Sequence, residues 1–181
     1  MKGDRSPLRV FLTGFRGTGK STVAKYLAAE LRTRAVDLDQ EIQKAAGKSI
    51  AEIFAEGGES AFRAAETDQL ARVCEAEPAV VALGGGAILA AGNRELIKKS
   101  GKCVWLTASA ETIAARMASD AATAAQRPAL TKLSQLDEIR QLLEIREPLY
   151  REVADIVIDT ESAKPEELAS QLSRHFSHTL Q

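Results

Sequence analysis

A chain of 181 residues with 24 Lys plus Arg against 25 Asp plus Glu carries a net charge of −1, which gives it no field to gather nucleic acid or an anionic membrane. Its 45% apolar and 27% charged residues have the balance of a globule with a full core and exclude a disordered, collagenous or disulfide-stapled chain. Two cysteines, Cys74 and Cys103, form no CxxC pair and lie near no histidine at metal-ligand spacing, so a reducing compartment suits them. The longest uncharged stretch, Pro78 to Asn93, is broken by three glycines and falls short of the about 18 to 20 residues a membrane span needs. Lys2 and Arg5 lead into no signal peptide, because Arg9 interrupts the apolar run behind them. The expectation is a cytoplasmic protein with no nucleic-acid or membrane partner.

In chain order, Leu8 to Leu12 is a short β-prone run closed by a glycine loop, and Ser21 to Leu31 has apolar residues at helical spacing. Ala35 to Leu38 reads as a second strand ending in acids. Helical patterns follow over Gln40 to Ala46 and Ile50 to Ala55, with Ser49 and Glu52 at capping-box positions. Gly57 and Gly58 break the pattern before a longer helix, Glu59 to Cys74. Ala79 to Leu83 is a buried strand, Arg94 to Lys99 a short helix, Lys102 to Leu106 a strand and Ala110 to Met117 a helix. The alanine-rich stretch Ser119 to Gln126 has no apolar stripe and reads as a mobile loop. Leu136 to Val153 is helical with Pro148 inside it, Ala154 to Ile158 is the last strand, and Pro165 to Phe176 the last helix. Five strands alternating with helices predict an α/β fold, a doubly wound parallel sheet covered on both faces.

Between the first strand and the first helix lies Gly14-Phe15-Arg16-Gly17-Thr18-Gly19-Lys20-Ser21, a match to GxxxxGK[ST] in the context that motif needs. Glycines admit positive φ, so successive N–H groups converge on phosphate oxygens while the helix aims its positive end at the same point. Lys20 would reach the β and γ phosphates, and Ser21 would offer its hydroxyl to Mg²⁺. A GTPase would need an Asn/Thr-Lys-x-Asp segment, but Thr131-Lys132-Leu133-Ser134 ends in serine. A motor ATPase would end a neighbouring strand in an acid, whereas Ala79 to Leu83 runs into Gly84-Gly85-Gly86.

The missing acid is expected from Asp37 or Asp39, read as closing the second strand at i and i+2 and projecting to one side. One would hold magnesium's water shell, and the other would accept a proton from an attacking hydroxyl. Asp39 as a mere helix cap is the bland alternative. Arg63 and Glu66, three apart on a helix, let a carboxylate orient a guanidinium for carboxylate recognition. Arg146 is a second candidate for an anion clamp, with Phe54 and Phe62 as an apolar wall; taken alone, each Arg is more often a solvated ion-pair partner. Arg127, at the end of the alanine-rich stretch, is placed to swing over the phosphates. Cys74, Cys103 and Trp105 read as packing residues, and His175 and His178 have no third metal ligand nearby.

Together these segments resemble shikimate kinase over nearly the whole chain: the phosphate loop, Asp37-Leu38-Asp39, Ser49 to Phe54, Phe62 to Glu66, Gly84-Gly85-Gly86, Arg127-Pro128, Arg146-Glu147-Pro148-Leu149-Tyr150 and Ile158-Asp159-Thr160. The resemblance implies a P-loop three-layer αβα sandwich of nucleoside-monophosphate-kinase type, with a parallel sheet ordered 2-3-1-4-5. It implies a single domain over 1–181, with a substrate-binding region at about 38–66 and a lid at about 118–133. It further implies ATP-dependent phosphorylation of the shikimate 3-hydroxyl in the chorismate and aromatic amino-acid pathway, with Mg²⁺ as cofactor, by a monomer. By position, Gly17, Thr18, Gly19, Lys20, Ser21, Thr22, Arg116 and Arg127 would bind ATP, with Arg116 stacked on adenine. Ser21 and Asp37, the latter through water, would serve the metal. Asp39, Arg63, Gly84, Gly85, Gly86 and Arg146 would bind substrate, and Lys20, Asp39 and Arg127 would be catalytic. Two segments depart from the family pattern: Arg127-Pro128-Ala129-Leu130 where Arg-Pro-Leu-Leu is usual, and Glu161 to Pro165, which offers adenine only Lys164 as a basic side chain. The alternatives are a kinase of the same fold for another hydroxy acid, such as gluconate, and a catalytically silent ATP-binding regulator.

Overall fold

The computed structural model describes residues 8–119 and 134–179. Its five strands are β1 (Val10–Thr13), β2 (Ala35–Asp37), β3 (Val80–Ala82), β4 (Lys102–Thr107) and β5 (Ile156–Asp159). They form one parallel sheet in the order β2-β3-β1-β4-β5, the order that the resemblance implies. The α-helices are α1 (Lys20–Glu30), α2 (Leu38–Ala46), α3 (Ile50–Glu75), α4 (Ala91–Ser100), α5 (Ala110–Ser119), α6 (Gln135–Val153) and α7 (Pro165–Thr179), with a 3₁₀ turn at Ala87–Leu89.

Side chains alternate across the sheet with the strand period of two. Val10 and Leu12 face α1 and α7, joining Val23, Leu27, Leu172 and Phe176. Phe11, Val81, Cys103 and Trp105 face the other way, into a core with Leu38, Phe62, Leu70 and Tyr150. Both faces being covered explains why the strands read as apolar runs without visible alternation. A smaller cluster of Phe15, Ile113, Met117 and Ile139 ties the loop after β1 to α5 and α6.

Helix boundaries follow local chemistry. Ser49 and Glu52 form the expected capping box at the start of α3, the serine side chain on the Glu52 N–H and the glutamate on the Ser49 N–H. The glycine pair breaks the helix as expected: Gly58 leaves helical geometry (φ 68°, ψ −168°), so α3 is two helices that meet at a kink. Helix α4 starts at Ala91, earlier than its apolar spacing suggests, and β5 starts at Ile156 because Ala154 closes α6 by donating to the Tyr150 carbonyl. Cys103 packs inside the sheet, where burial pushes its thiol up to about 12; Cys74 is half-buried. Among the described residues no helix is long and apolar enough to cross a membrane.

All five strands end on the same side of the sheet, and β1 and β3, adjacent in it, lead to opposite faces, β1 into α1 and β3 into the 3₁₀ turn and α4. Loops leaving such a switch point diverge and open a crevice. The segments singled out by sequence gather there.

Candidate active site

The loop between β1 and α1 is built by its glycines. At Gly14 (φ 138°) the place of a side chain is taken by the Leu106 backbone carbonyl, and Gly19 (φ 89°) caps α1 from the left-handed region. The Gly19 N-cap makes no side-chain cap hydrogen bond and the first turn of α1 carries no acid of its own, so the positive end of the helix faces the crevice. Thr18 fastens the loop by donating its hydroxyl to the Phe15 carbonyl at 2.7 Å. Lys20 is 9% exposed, and its ammonium donates to the Gly14 and Phe15 carbonyls at 2.9 and 2.8 Å. Ser21 donates to Asp37 Oδ2 at 2.6 Å.

Asp37 and Asp39 do not share a strand. β2 ends at Asp37, which caps α2 by accepting the Gln40 N–H on Oδ1 at 3.3 Å, so Asp39 lies in the first helical turn. The residue that caps is therefore Asp37, not Asp39, because an Asx side chain at the strand end competes for the first free N–H groups. Both carboxylates nonetheless line one cleft of about 470 Å³ together with Lys20, Ser21 and Gly84. Helical geometry, not strand alternation, turns Asp39 inward.

The opposite end of the cleft is organised by Gly84-Gly85-Gly86. A Cβ on Gly84 would stand 2.6 Å from Glu66 Oε1 and 2.9 Å from Asp39 Oδ1, so two carboxylates from α2 and α3 converge on this one residue. A Cβ on Gly86 would lie 2.5 Å from both terminal nitrogens of Arg63, whose guanidinium packs flat on that glycine. Arg63 is oriented by Glu66 Oε2 at 2.6 Å, with Glu59 at 3.3 Å on its exposed side. The Glu66 side chain is 1% exposed, and a buried carboxylate needs such a partner. From α6, Arg146 Nη1 donates to the Gly85 carbonyl at 3.5 Å and the Tyr150 hydroxyl donates to the same oxygen at 2.6 Å. Neither arginine lines the main cleft; both adjoin it through the glycines. Behind these, Asn93 donates to the Ala87 carbonyl at 3.0 Å and Arg94 to the Ile88 carbonyl at 2.9 Å, pinning the 3₁₀ turn that follows the glycines. Phe54 and Phe62 stack with centroids 4.9 Å apart, and Arg63 lies 5.1 Å over the Phe62 ring.

Arg116, from α5, donates to the Thr160 hydroxyl at 2.9 Å and carbonyl at 2.6 Å and to the Gly17 carbonyl at 3.3 Å. It borders both the main cleft and a second cavity of about 260 Å³ between α1 and α7. Ala163 and Pro165 line this second cavity and Lys164 does not; Glu161 beside them accepts the Ser109 N–H at 2.8 Å, and hydrogen bonds from Ser109 hold its carboxyl below the usual range. Arg127 and the expected lid, from residue 120 on, lie outside the described residues. Sequence reasoning missed Arg16, Gln40 and Gln43, which line the cleft. Arg16 had a signal, since it occupies one of the open positions of the phosphate-loop motif; the glutamines follow from the helical phase of Asp39.

A phosphate loop at a switch point, a lysine and a carboxylate in one cleft, and paired arginines beyond it define a P-loop kinase of the nucleoside-monophosphate-kinase type. The family model for shikimate kinase matches residues 16–177, and the chain belongs to that family. It is 48% identical to the shikimate kinase of Rhodopirellula baltica over 92% of this chain and 89% of that enzyme. The structure of shikimate kinase from Acinetobacter baumannii in complex with shikimate superposes with a TM-score of 0.88, at 36% identity and 97% coverage of each chain. That from Aquifex aeolicus gives 0.78, at 33% identity and 94% and 98% coverage. A gluconokinase from Sinorhizobium meliloti, 17% identical with a TM-score of 0.54, shares the fold alone.

Proposed function

We propose that this chain transfers the γ-phosphoryl group of ATP to the 3-hydroxyl of shikimate, acting as a single-domain monomer with its substrate region at about 38–66 and its lid at about 118–133. The acceptor oxygen forms a bond to the γ phosphorus as the bond to the β–γ bridging oxygen breaks; ADP leaves with that electron pair, and the hydroxyl proton passes to Asp39 and then to solvent. Lys20 and the amino end of α1 stabilise charge on the transferring group, Arg127 adds to it from the lid, and Arg63 and Arg146 hold the substrate carboxylate. The adenine lies against Arg116.

Ser21 and Asp37 fit Mg²⁺: their hydroxyl and carboxylate oxygens are 2.6 Å apart at the cleft wall, and hard oxygens suit this cation. Among the described residues no group of three acidic, histidine or cysteine side chains competes as a metal cage. When bound, the ion neutralises charge on the β and γ phosphates. Ser21 would ligate it directly and Asp37 through water.

The observation that supports this reading is the shared cleft of Lys20 and Asp39, lined by Gly84 and Gly85, with Arg146 on Gly85 and Arg63 on the adjoining Gly86. An ADP-coupled assay tests it. Shikimate should drive ADP release and gluconate should not; the reverse result moves the chain to another hydroxy acid, and no release with either leaves a silent ATP binder. Asp39→Asn should keep ATP affinity and lower kcat by about 10²–10⁴-fold; an unchanged kcat removes Asp39 as base.

A further inference from the structure

The segment Arg146-Glu147-Pro148-Leu149-Tyr150 contains a tyrosine to which the reaction above gives no task. Tyr150 is fully buried and stands four residues after Arg146 on α6, the spacing that stacks two side chains on one helix face. Its ring packs against Trp105 with centroids 5.7 Å apart and planes 24° from parallel, which fixes where the hydroxyl points. That hydroxyl donates to the Gly85 carbonyl at 2.6 Å, the oxygen that Arg146 also reaches at 3.5 Å. Two donors from one helix thus share one acceptor on the substrate loop. The lengths decide their roles: the tyrosine bond is short and strong, the arginine contact at the limit of a hydrogen bond. The Arg146 guanidinium rests otherwise over the Phe15 ring, 5.6 Å from its centroid.

A buried carbonyl must keep a donor. If Arg146 were the donor of Gly85, each substrate carboxylate would have to compete with that carbonyl for the guanidinium, and winning would strand a buried acceptor. With Tyr150 in place, Arg146 can leave at little cost. We propose that Tyr150 is a positioning residue for substrate recognition, whose hydroxyl satisfies the Gly85 carbonyl and so frees Arg146 to pair with the carboxylate of the acceptor. This rests on the reading of Arg146 as a carboxylate clamp, and the test separates the two.

Steady-state kinetics of Arg146→Ala, Tyr150→Phe and the double variant would be measured with shikimate and with its methyl ester, which keeps the hydroxyls and loses the charge. Tyr150→Phe should raise the shikimate KM about tenfold and leave the ATP KM within about twofold. Its effect should shrink to within about twofold for the ester and in the Arg146→Ala background, because it acts only through that guanidinium. A folded Tyr150→Phe enzyme with an unchanged shikimate KM overturns the proposal while a raised KM in Arg146→Ala preserves the clamp. An equal penalty for acid and ester overturns it too, since general loosening of the loop would do that. An unchanged KM in Arg146→Ala removes both. Should Tyr150→Phe not fold, ¹⁹F NMR of the fluorotyrosine-labelled Tyr26→Phe chain reports Tyr150 alone. Shikimate should shift its resonance in that chain and not after Arg146→Ala, and a resonance that stays put in the first chain overturns the proposal.

Discussion

On the nucleotide side of the cleft, Lys20 is held by the carbonyls of Gly14 and Phe15, six and five residues away in sequence. On the acceptor side, Gly85 takes the hydroxyl of Tyr150 from 65 residues along the chain, and Gly84 is met by carboxylates from two further helices. Both sides use glycine to clear space for polar groups, but the first is a local loop that shapes itself and the second is a meeting point assembled by the fold. At Gly14 the phosphate side sets backbone against backbone, which cannot give, whereas at Gly86 the acceptor side meets the end of a long side chain, which can yield. Substitutions should therefore break the two sides in different ways.

Apart from Asp39, the largest effect is expected at Lys20. Lys20→Ala removes the buried ammonium and should lower kcat by about 10²–10³-fold, as does loss of a single oxyanion donor, with the fold intact by circular dichroism; a loss under tenfold would place the charge stabilisation elsewhere. Gly14→Ala comes next, and as a stability effect. Its Cβ would meet the Leu106 backbone carbonyl at a φ of 138°, neither of which can relax, so a destabilisation of about 2–4 kcal/mol is expected in urea titration. Glu66→Gln keeps the shape and removes the charge that aims Arg63, so the shikimate KM should rise on the order of tenfold while the ATP KM holds; equal changes in both would mean that Glu66 supports the whole cleft. Gly86→Ala should be mildest. The atoms it meets are the end of the Arg63 side chain, which can swing aside, giving a rise of about threefold in shikimate KM with little change in stability. If Gly86→Ala proves as destabilising as Gly14→Ala, the contrast between a rigid and a yielding side fails.

The amino-acid sequence alone determined the parts that are local. The phosphate loop, the Ser49 capping box and the buried strands are legible because each depends on residues within one or two turns of one another. The resemblance supplied the sheet order and the residue set. Local pattern went astray at Asp37 and Asp39, where two acids two apart read as strand partners although a helix begins between them; a strand of three residues is too short for its alternation to fix the boundary. Only the tertiary structure decided that Glu66 would be buried beside Asp39, that Arg63 would lie on Gly86, and that Arg146 and Tyr150 would share one carbonyl. Those contacts join residues tens of positions apart, and a linear pattern carries the residue types but not the packing of α2, α3 and α6 around β3 that gives them a common centre.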